Sequence, residues 1–113
     1  MKRILSRNLS AVALILLAVV RSTPVAGDKP PAREISIDNF SFVPQTVTVP
    51  VGTTVTWVNH DDIPHTVLSV DKKTIASPAL DTNEKFSFTF MSAGTNDYFC
   101  SVHPHMKGRV IVR

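Results

Sequence analysis

The sequence has very little cysteine and no apolar run long enough to span a bilayer. Its only cysteine is Cys100, which excludes an intrachain disulfide. The most apolar segment, residues 9–20, is about a dozen residues long, whereas a membrane-spanning helix needs about 20. A chain of 113 residues is accounted for by one domain. These features exclude a disulfide-stapled scaffold and argue against a membrane-spanning helix.

The first 26 residues have the order of a secretory signal peptide. Basic residues precede the apolar segment, and small residues follow it before the polar stretch that begins at Asp28. We therefore predict that residues 1–26 are removed on export, with cleavage somewhere between residues 22 and 27. Residues 27–33 are then a polar lead-in to a domain that spans residues 34–113. The mature protein is expected in the periplasm, without stable insertion into the membrane.

Removal of the leader changes the charge of the protein. Four of the 12 basic residues lie in the leader, and none of the nine acidic residues does. The mature protein keeps eight basic and nine acidic residues, which is a formal charge of −1 with neutral histidines. A nucleic-acid surface would need a basic stripe, and none remains. We expect a monomer that does not bind nucleic acid.

Polar and apolar residues alternate in short runs from residue 34 onwards, with turn residues between the runs. Such alternation is typical of strands with one buried face. Trp57 and the three phenylalanines of residues 86–90 are predicted to pack in the core, as is Met91. The pattern predicts an all-β, Greek-key β-sandwich of seven to eight strands. The clearest strand candidates are residues 34–38, 46–50, 53–59, 65–70, 84–90, 97–100 and 109–112.

Soft and borderline metal ligands are concentrated near the C-terminus. Cys100, His103 and Met106 lie within seven residues, and His65 lies upstream. Thiolate and thioether favour Cu(I), whereas imidazole also suits Cu(II). Two histidines and a cysteine with a weak methionine ligand are the set found in blue-copper electron-transfer sites. The spacing predicts that three of these ligands share one loop before the last strand, with Gly108 permitting the turn back.

Other chemistries fit the same residues less well. Structural zinc sites usually show four cysteine or histidine ligands in paired short spacings, and this sequence does not. A cysteine nucleophile activated by a histidine would leave His65 and Met106 without a role. Of the remaining histidines, His60 is expected at the surface. His105 is an alternative ligand to His103, but the copper pattern is complete without it.

Three segments resemble the cupredoxins, the family that includes amicyanin, pseudoazurin and plastocyanin. WVNHDDIPHTV and YFCSVHPHMKGRVIV are similar to the two copper-binding loops of that family, and FVPQTVTVPVGTTVTWVN is similar to its early strands. The short Cys-x-x-His-x-x-Met loop most resembles that of amicyanin. The resemblance implies one type 1 copper bound by His65, Cys100, His103 and Met106. It also implies a soluble one-electron carrier rather than an enzyme, with redox partner proteins docking around the exposed ring edge of His103.

Two positions depart from the family pattern. Asparagine often follows the first histidine and helps to tie the two ligand loops together, whereas this sequence has Thr66. We expect the Thr66 hydroxyl to reach the loop near Ser101 instead. Amicyanin-like loops tend to have an aromatic residue at the position of His105, so the docking patch is expected to differ.

A copper-binding or copper-delivery protein of the cell envelope is the rival interpretation. The function of such a protein would be to bind copper, without cycling between Cu(II) and Cu(I). The optical spectrum of the Cu(II) protein separates the two functions, because a thiolate–Cu(II) site absorbs intensely near ~600 nm.

Overall fold

The computed structural model describes residues 30–113, in which eight β-strands and no helix occur. The predicted signal peptide, residues 1–26, lies outside the described residues. Within the described part of the chain, no helix of a length and apolarity suited to crossing a membrane is found. The strands are β1 (Ala32–Asp38), β2 (Ser41–Val43), β3 (Thr46–Val49), β4 (Thr53–Asn59), β5 (Leu68–Ser69), β6 (Lys85–Phe90), β7 (Gly94–Phe99) and β8 (Lys107–Val112).

The strands form two four-stranded sheets, in the orders β2-β1-β4-β6 and β3-β8-β7-β5. Strand β1 is parallel to β4 and β3 is parallel to β8, while the other pairs are antiparallel. Successive strands from β2 to β7 alternate between the two sheets. The chain therefore builds both layers together, and the predicted all-β sandwich is confirmed.

The core lies between the sheets and is made by the inward residues of each alternating strand. Val55 and Trp57 of β4 are fully buried, and Tyr98 of β7 meets Trp57 edge to face with ring centroids 5.3 Å apart. Burying a large apolar side chain contributes about 1.5–3 kcal/mol to stability, so this alternation accounts for much of the fold's free energy.

The phenylalanines of β6 also pack against this core. Phe90 is buried, and Phe86 and Phe88 are partly buried because β6 is an edge strand of its sheet. The predicted core role of these aromatic residues is confirmed. Met91 is 70% exposed, so the prediction that it packs in the interior is wrong. It directly follows the last residue of β6, where the alternation ends.

Gly108 was predicted to lie in the turn before the last strand, but it does not. It lies within β8 opposite Tyr98 of β7. A Cβ atom on Gly108 would lie 2.2 Å from Cζ of Tyr98, which is far inside van der Waals contact. Glycine is required here because the tyrosine ring occupies the space that a side chain would fill.

The predicted strand 65–70 is shorter than expected, since only β5 within it is a strand. His65 instead forms an isolated β-bridge with Leu80. Two backbone hydrogen bonds, His65 N to Leu80 O at 3.1 Å and Leu80 N to His65 O at 2.7 Å, make this bridge. It fixes the backbone of His65 without a continuous ladder.

Candidate metal centre

Three of the four candidate ligands meet at one place in the described part of the chain. The ligand atoms of His65, Cys100 and His103 all lie within 4.8 Å of one another. Cys100 Sγ lies 3.8 Å from Nδ1 of His65 and 3.9 Å from Nδ1 of His103. Metal bonds of about 2.0–2.1 Å to nitrogen and about 2.3 Å to sulfur separate such atoms by about 3.8 Å in a trigonal site. The three donors therefore fit a single ion.

Met106, the fourth candidate ligand, is held in the loop after Cys100 by backbone hydrogen bonds. Its N–H donates to the carbonyl of His103 at 2.9 Å, and the N–H of Cys100 donates to the carbonyl of Met106 at 3.0 Å. The Met106 side chain is only 5% exposed and belongs to the same buried cluster as Cys100. The loop is thus closed by its own hydrogen bonds, and its thioether is directed into the protein, where a fourth ligand is predicted.

Asp61 orients the ring of His65. The Asp61 carboxylate lies 2.8 Å from Nε2 of His65, which is fully buried. A carboxylate only accepts hydrogen bonds, so the proton of the neutral ring is assigned to Nε2. Nδ1 then keeps a free lone pair on the side that faces Cys100. This is the tautomer that a metal ligand needs, with the second ring nitrogen held by a carboxylate.

The same carboxylate organises the turn between β1 and β2. The N–H groups of Asn39 and Phe40 donate to it at 2.7 and 2.9 Å, and both residues have positive φ angles, 50° and 56°. Burial raises the pKa of Asp61, but hydrogen bonds from Phe40, Asn39 and His65 outweigh it and hold the pKa below its ordinary value. The carboxylate therefore stays ionised near neutral pH.

The turn places an aromatic ring beside both histidines. The Phe40 ring centroid lies 5.4 Å from that of His65 and 5.2 Å from that of His103, with nearly perpendicular planes. Edge-to-face contacts of this kind are favourable and hold rings in a fixed orientation. Phe40 is 49% exposed, so it also forms part of the surface above the two imidazoles.

A buried asparagine supports the loop that carries Asp61. Asn59 donates from Nδ2 to the carbonyls of Ile63 and Leu80, both at 2.8 Å, and its Oδ1 accepts from the N–H of Asp61 at 2.9 Å. These bonds satisfy the polar atoms of a side chain that is fully buried. They fix the loop between β4 and His65.

The environment of Cys100 favours its thiolate. Burial raises the pKa of the thiol, but the N–H of Thr66 at 3.4 Å, the polar rings of His65 and His103 and the Thr66 hydroxyl outweigh it. The result is a pKa of about 6. Since the thiolate is the form that binds metals, Cys100 is prepared for ligation near neutral pH.

Thr66 also joins the two ligand segments. Its Oγ1 accepts a hydrogen bond from the N–H of Ser101 at 2.8 Å and lies 2.7 Å from Ser101 Oγ. The predicted contact of the Thr66 hydroxyl with the loop near Ser101 is confirmed.

The remaining histidines lie outside this cluster. His60 and His105 are exposed, and neither belongs to the group of candidate metal ligands found among residues 30–113. Sequence reasoning missed Asp61 and Phe40. An acidic residue four positions before a ligand histidine was an available signal for Asp61, whereas nothing local pointed to Phe40.

Comparison with known proteins gives a consistent result. The family model described as "Cupredoxin-like domain" matches residues 10–112. Amicyanin-alpha of Methylorubrum extorquens is 33% identical over 107 residues, covering 91% of this chain and 86% of that protein. A solved structure of an amicyanin variant in the oxidised state is 35% identical, with a TM-score of 0.69, over 73% of this chain and 82% of that one. A copper-containing nitrite reductase from Thermus scotoductus is 31% identical with a TM-score of 0.70, but this chain covers only 23% of it.

Proposed function

The chain belongs to the cupredoxin-like family, and we propose that it is an amicyanin-like carrier of single electrons that binds one type 1 copper ion. The observation that carries this proposal is that the sulfur of Cys100 and one nitrogen each of His65 and His103 lie within 4.8 Å of one another. Met106 lies three residues after His103 on the same loop. The assignment of His65, Cys100, His103 and Met106 as the ligands is part of the proposal.

The donor set suits copper in both of its common oxidation states. Copper bound by such ligands exchanges one electron between Cu(II) and Cu(I). Thiolate and thioether are soft, and imidazole is borderline, so neither oxidation state is strongly disfavoured. The protein's part is to hold these donors in one arrangement while the charge on the ion changes.

The surrounding bonds provide that rigidity. Cys100 directly follows β7, and the hydrogen bonds between Cys100, His103 and Met106 close the ligand loop before β8 begins. His65 is fixed by its bridge to Leu80 and by the Asp61 carboxylate. Because the donors are held by protein contacts, electron exchange requires little rearrangement of the protein.

The same arrangement favours a carrier over an enzyme. A catalytic metal site keeps an open position for substrate, whereas the proposed site uses four protein ligands. His65, Cys100 and Met106 are buried, which leaves little room for a substrate beside the ion. The similarity to the nitrite reductase extends over only 23% of that enzyme's chain.

Redox partners are proposed to dock around His103. Its ring is half-buried, and the neighbouring Val102 and Phe40 are 57% and 49% exposed. Pro104 and His105 are exposed on the same loop. An apolar surface beside the ring of His103 allows a partner protein to approach closely with little desolvation cost. A monomer can form this surface, so the proposal includes no oligomer.

Export to the periplasm, with removal of residues 1–26, is also part of the proposal. The basic, apolar and small-residue order at the start of the chain supports it. The mass of the mature protein purified from the producing cell tests it. A mature protein that begins between residues 23 and 27 is expected, whereas a full-length chain in the membrane fraction would contradict it.

The central test is the optical spectrum and the redox response of the purified protein with Cu(II). We expect an intense thiolate-to-copper absorption near ~600 nm, reversible loss of that band on reduction, and loss of both properties in Cys100→Ser. His105→Gln is the control, since His105 is exposed and outside the ligand cluster. Tight Cu(I) binding without the absorption would identify a copper-delivery protein instead.

A further inference from the structure

The side chain of Thr66 is placed between the thiol of Cys100 and the hydroxyl of Ser101. Its Oγ1 lies 3.7 Å from Cys100 Sγ and 2.7 Å from Ser101 Oγ. The N–H of Ser101 donates to the same oxygen at 2.8 Å. Thr66 is buried, so these protein groups are the main partners of its hydroxyl.

The number of protons limits how these groups can pair. The Thr66 hydroxyl has one proton and two lone pairs, and the Ser101 N–H occupies one of the lone pairs. If Thr66 donates to Ser101 Oγ, its hydroxyl has no proton for the sulfur. If Ser101 Oγ–H donates to Thr66, the Thr66 proton is free to point at Cys100 Sγ. The two arrangements differ only in which hydroxyl donates across the 2.7 Å contact.

The negative charge of the Cys100 thiolate favours the arrangement in which the Thr66 proton points at the sulfur. Hydrogen bonds to an ionised acceptor are stronger than those between neutral groups, and Cys100 is fully buried. Ser101 is exposed, so water can supply its hydroxyl with a donor when it gives its own proton to Thr66. The arrangement in which Ser101 donates to Thr66 and Thr66 donates to the sulfur therefore satisfies all three groups.

We propose that the Thr66 hydroxyl is a side-chain hydrogen-bond donor to the copper thiolate and raises the reduction potential of the site. This inference rests on the proposed copper function. Thr66 is a positioning residue that acts through Cys100, in addition to its backbone N–H, which lies 3.4 Å from the sulfur. The geometry thus gives the thiolate two donors from one residue.

The direction of the effect follows from charge. Reduction adds an electron to the copper–thiolate unit, so the sulfur is more negative in the Cu(I) state. The positive end of an O–H dipole stabilises that state more than the Cu(II) state. Hydrogen bonding around the cysteine sulfur is one of the factors that tune such potentials.

Replacement of the hydroxyl by a methyl group tests this directly. Thr66→Val keeps the branched shape, and it is expected to reduce the preference for Cu(I) over Cu(II) by up to about tenfold. That change is a fall of up to about 59 mV in the reduction potential of a one-electron couple. Transfer to D₂O should also shift the Cu–S stretching frequency less in this variant than in the parent, because one exchangeable donor to sulfur is gone. Thr66→Ala repeats the measurement if the valine variant does not fold.

Two variants separate this role from a structural one. Thr66→Ser keeps the hydroxyl and should retain the parent's potential. Ser101→Ala removes the other side of the contact but leaves the Thr66 proton free for the sulfur, so it should change the potential much less than Thr66→Val. Equal falls in Thr66→Val and Ser101→Ala would show that only the tie between the two segments matters, and would overturn the inference.

The outcomes also distinguish this inference from the proposed function. If the parent protein shows the intense absorption but Thr66→Val has the parent's reduction potential, the inference about Thr66 is overturned and the proposed copper function stands. A parent protein without the absorption would overturn both.

Discussion

At the scale of single residues, Asp61 links the two sides of the metal site. Its carboxylate accepts from His65 on one side and from the N–H groups of Asn39 and Phe40 on the other. Asp61→Asn keeps the size of the side chain but loses the charge and one acceptor oxygen. Loss of such a partner typically costs 10–100-fold in metal affinity, so a fall of about that size in Cu(I) affinity is expected. Competition with a coloured Cu(I) chelator measures it.

Asp62 provides the matched control, because it is the exposed neighbour of Asp61. Asp62→Asn removes the same charge without touching the bond to His65. Its Cu(I) affinity should stay within about twofold of the parent, given the screening of exposed charges. Equal losses in the two variants would attribute the effect to net charge rather than to orientation of the ring.

The thiol of Cys100 should make the stability of the metal-free protein depend on pH. Its pKa is about 6 in the folded protein, whereas an unfolded cysteine has a pKa of about 8.5. Between these values the unfolded chain binds one more proton, so the free energy of unfolding rises with pH. The contribution is complete above pH ~8.5 and is lost as pH falls through about 6.

Chemical denaturation of the metal-free parent and of Cys100→Ala at several pH values measures this contribution. The stability difference between the two proteins should grow in favour of the parent from pH ~6 to pH ~8.5. A difference that is constant with pH would refute the lowered pKa.

The four candidate ligands could be predicted from the sequence because their chemistry is unusual and their spacing is short. Asp61 had a local signal, because it lies four residues before His65, whereas Phe40 had none. Phe40 approaches His65 and His103 only because a turn with two positive φ angles is held by a carboxylate 21 residues further along the chain. No local pattern contains that information.

At the scale of elements, alternation was a reliable guide where a full ladder forms. Strand β4 lies where the pattern predicted it, because Val55 and Trp57 fill the core while the strand as a whole pairs with β1 and β6. The region 65–70 was misjudged because side chains and two isolated β-bridges hold its backbone. Val67 N–H, for example, donates to Ser77 Oγ at 2.7 Å instead of to a neighbouring strand.

Gly108 offers a test of the contact between β7 and β8. Its Cβ would lie 2.2 Å from the Tyr98 ring, so Gly108→Ala must displace a buried tyrosine or the strand. Overpacking of this kind typically costs about 1–3 kcal/mol. Urea denaturation should show a loss of that size in the metal-free protein.

Arg109→Ala in the same strand is the control for Gly108→Ala. Arg109 is exposed, and its ion pair with Asp97, at 2.6 Å, lies at the surface. Exposed ion pairs contribute about 0–1 kcal/mol, so only a small change is expected. If Gly108→Ala were as stable as Arg109→Ala, the steric role of glycine would be disproved.

At the scale of the whole molecule, the fold gathers candidate ligands that are far apart in sequence. His65 comes from the loop after β4, and the other three candidates come from the loop between β7 and β8. These two loops meet only when both sheets are assembled. A metal ion bound at this site should therefore stabilise the folded state as a whole rather than one loop.

Copper should consequently raise the melting temperature of the protein. With free Cu(I) buffered at about 100 times its dissociation constant, preferential binding to the folded state adds about 2.7 kcal/mol to the free energy of unfolding. For a domain of this size that corresponds to about 10–20 °C, measured anaerobically by circular dichroism. Cys100→Ser should show little of this rise, because it lacks the thiolate while keeping the other three candidates. A similar rise in that variant would mean that copper stabilises the fold without the Cys100 thiolate, which would contradict the proposed ligand set.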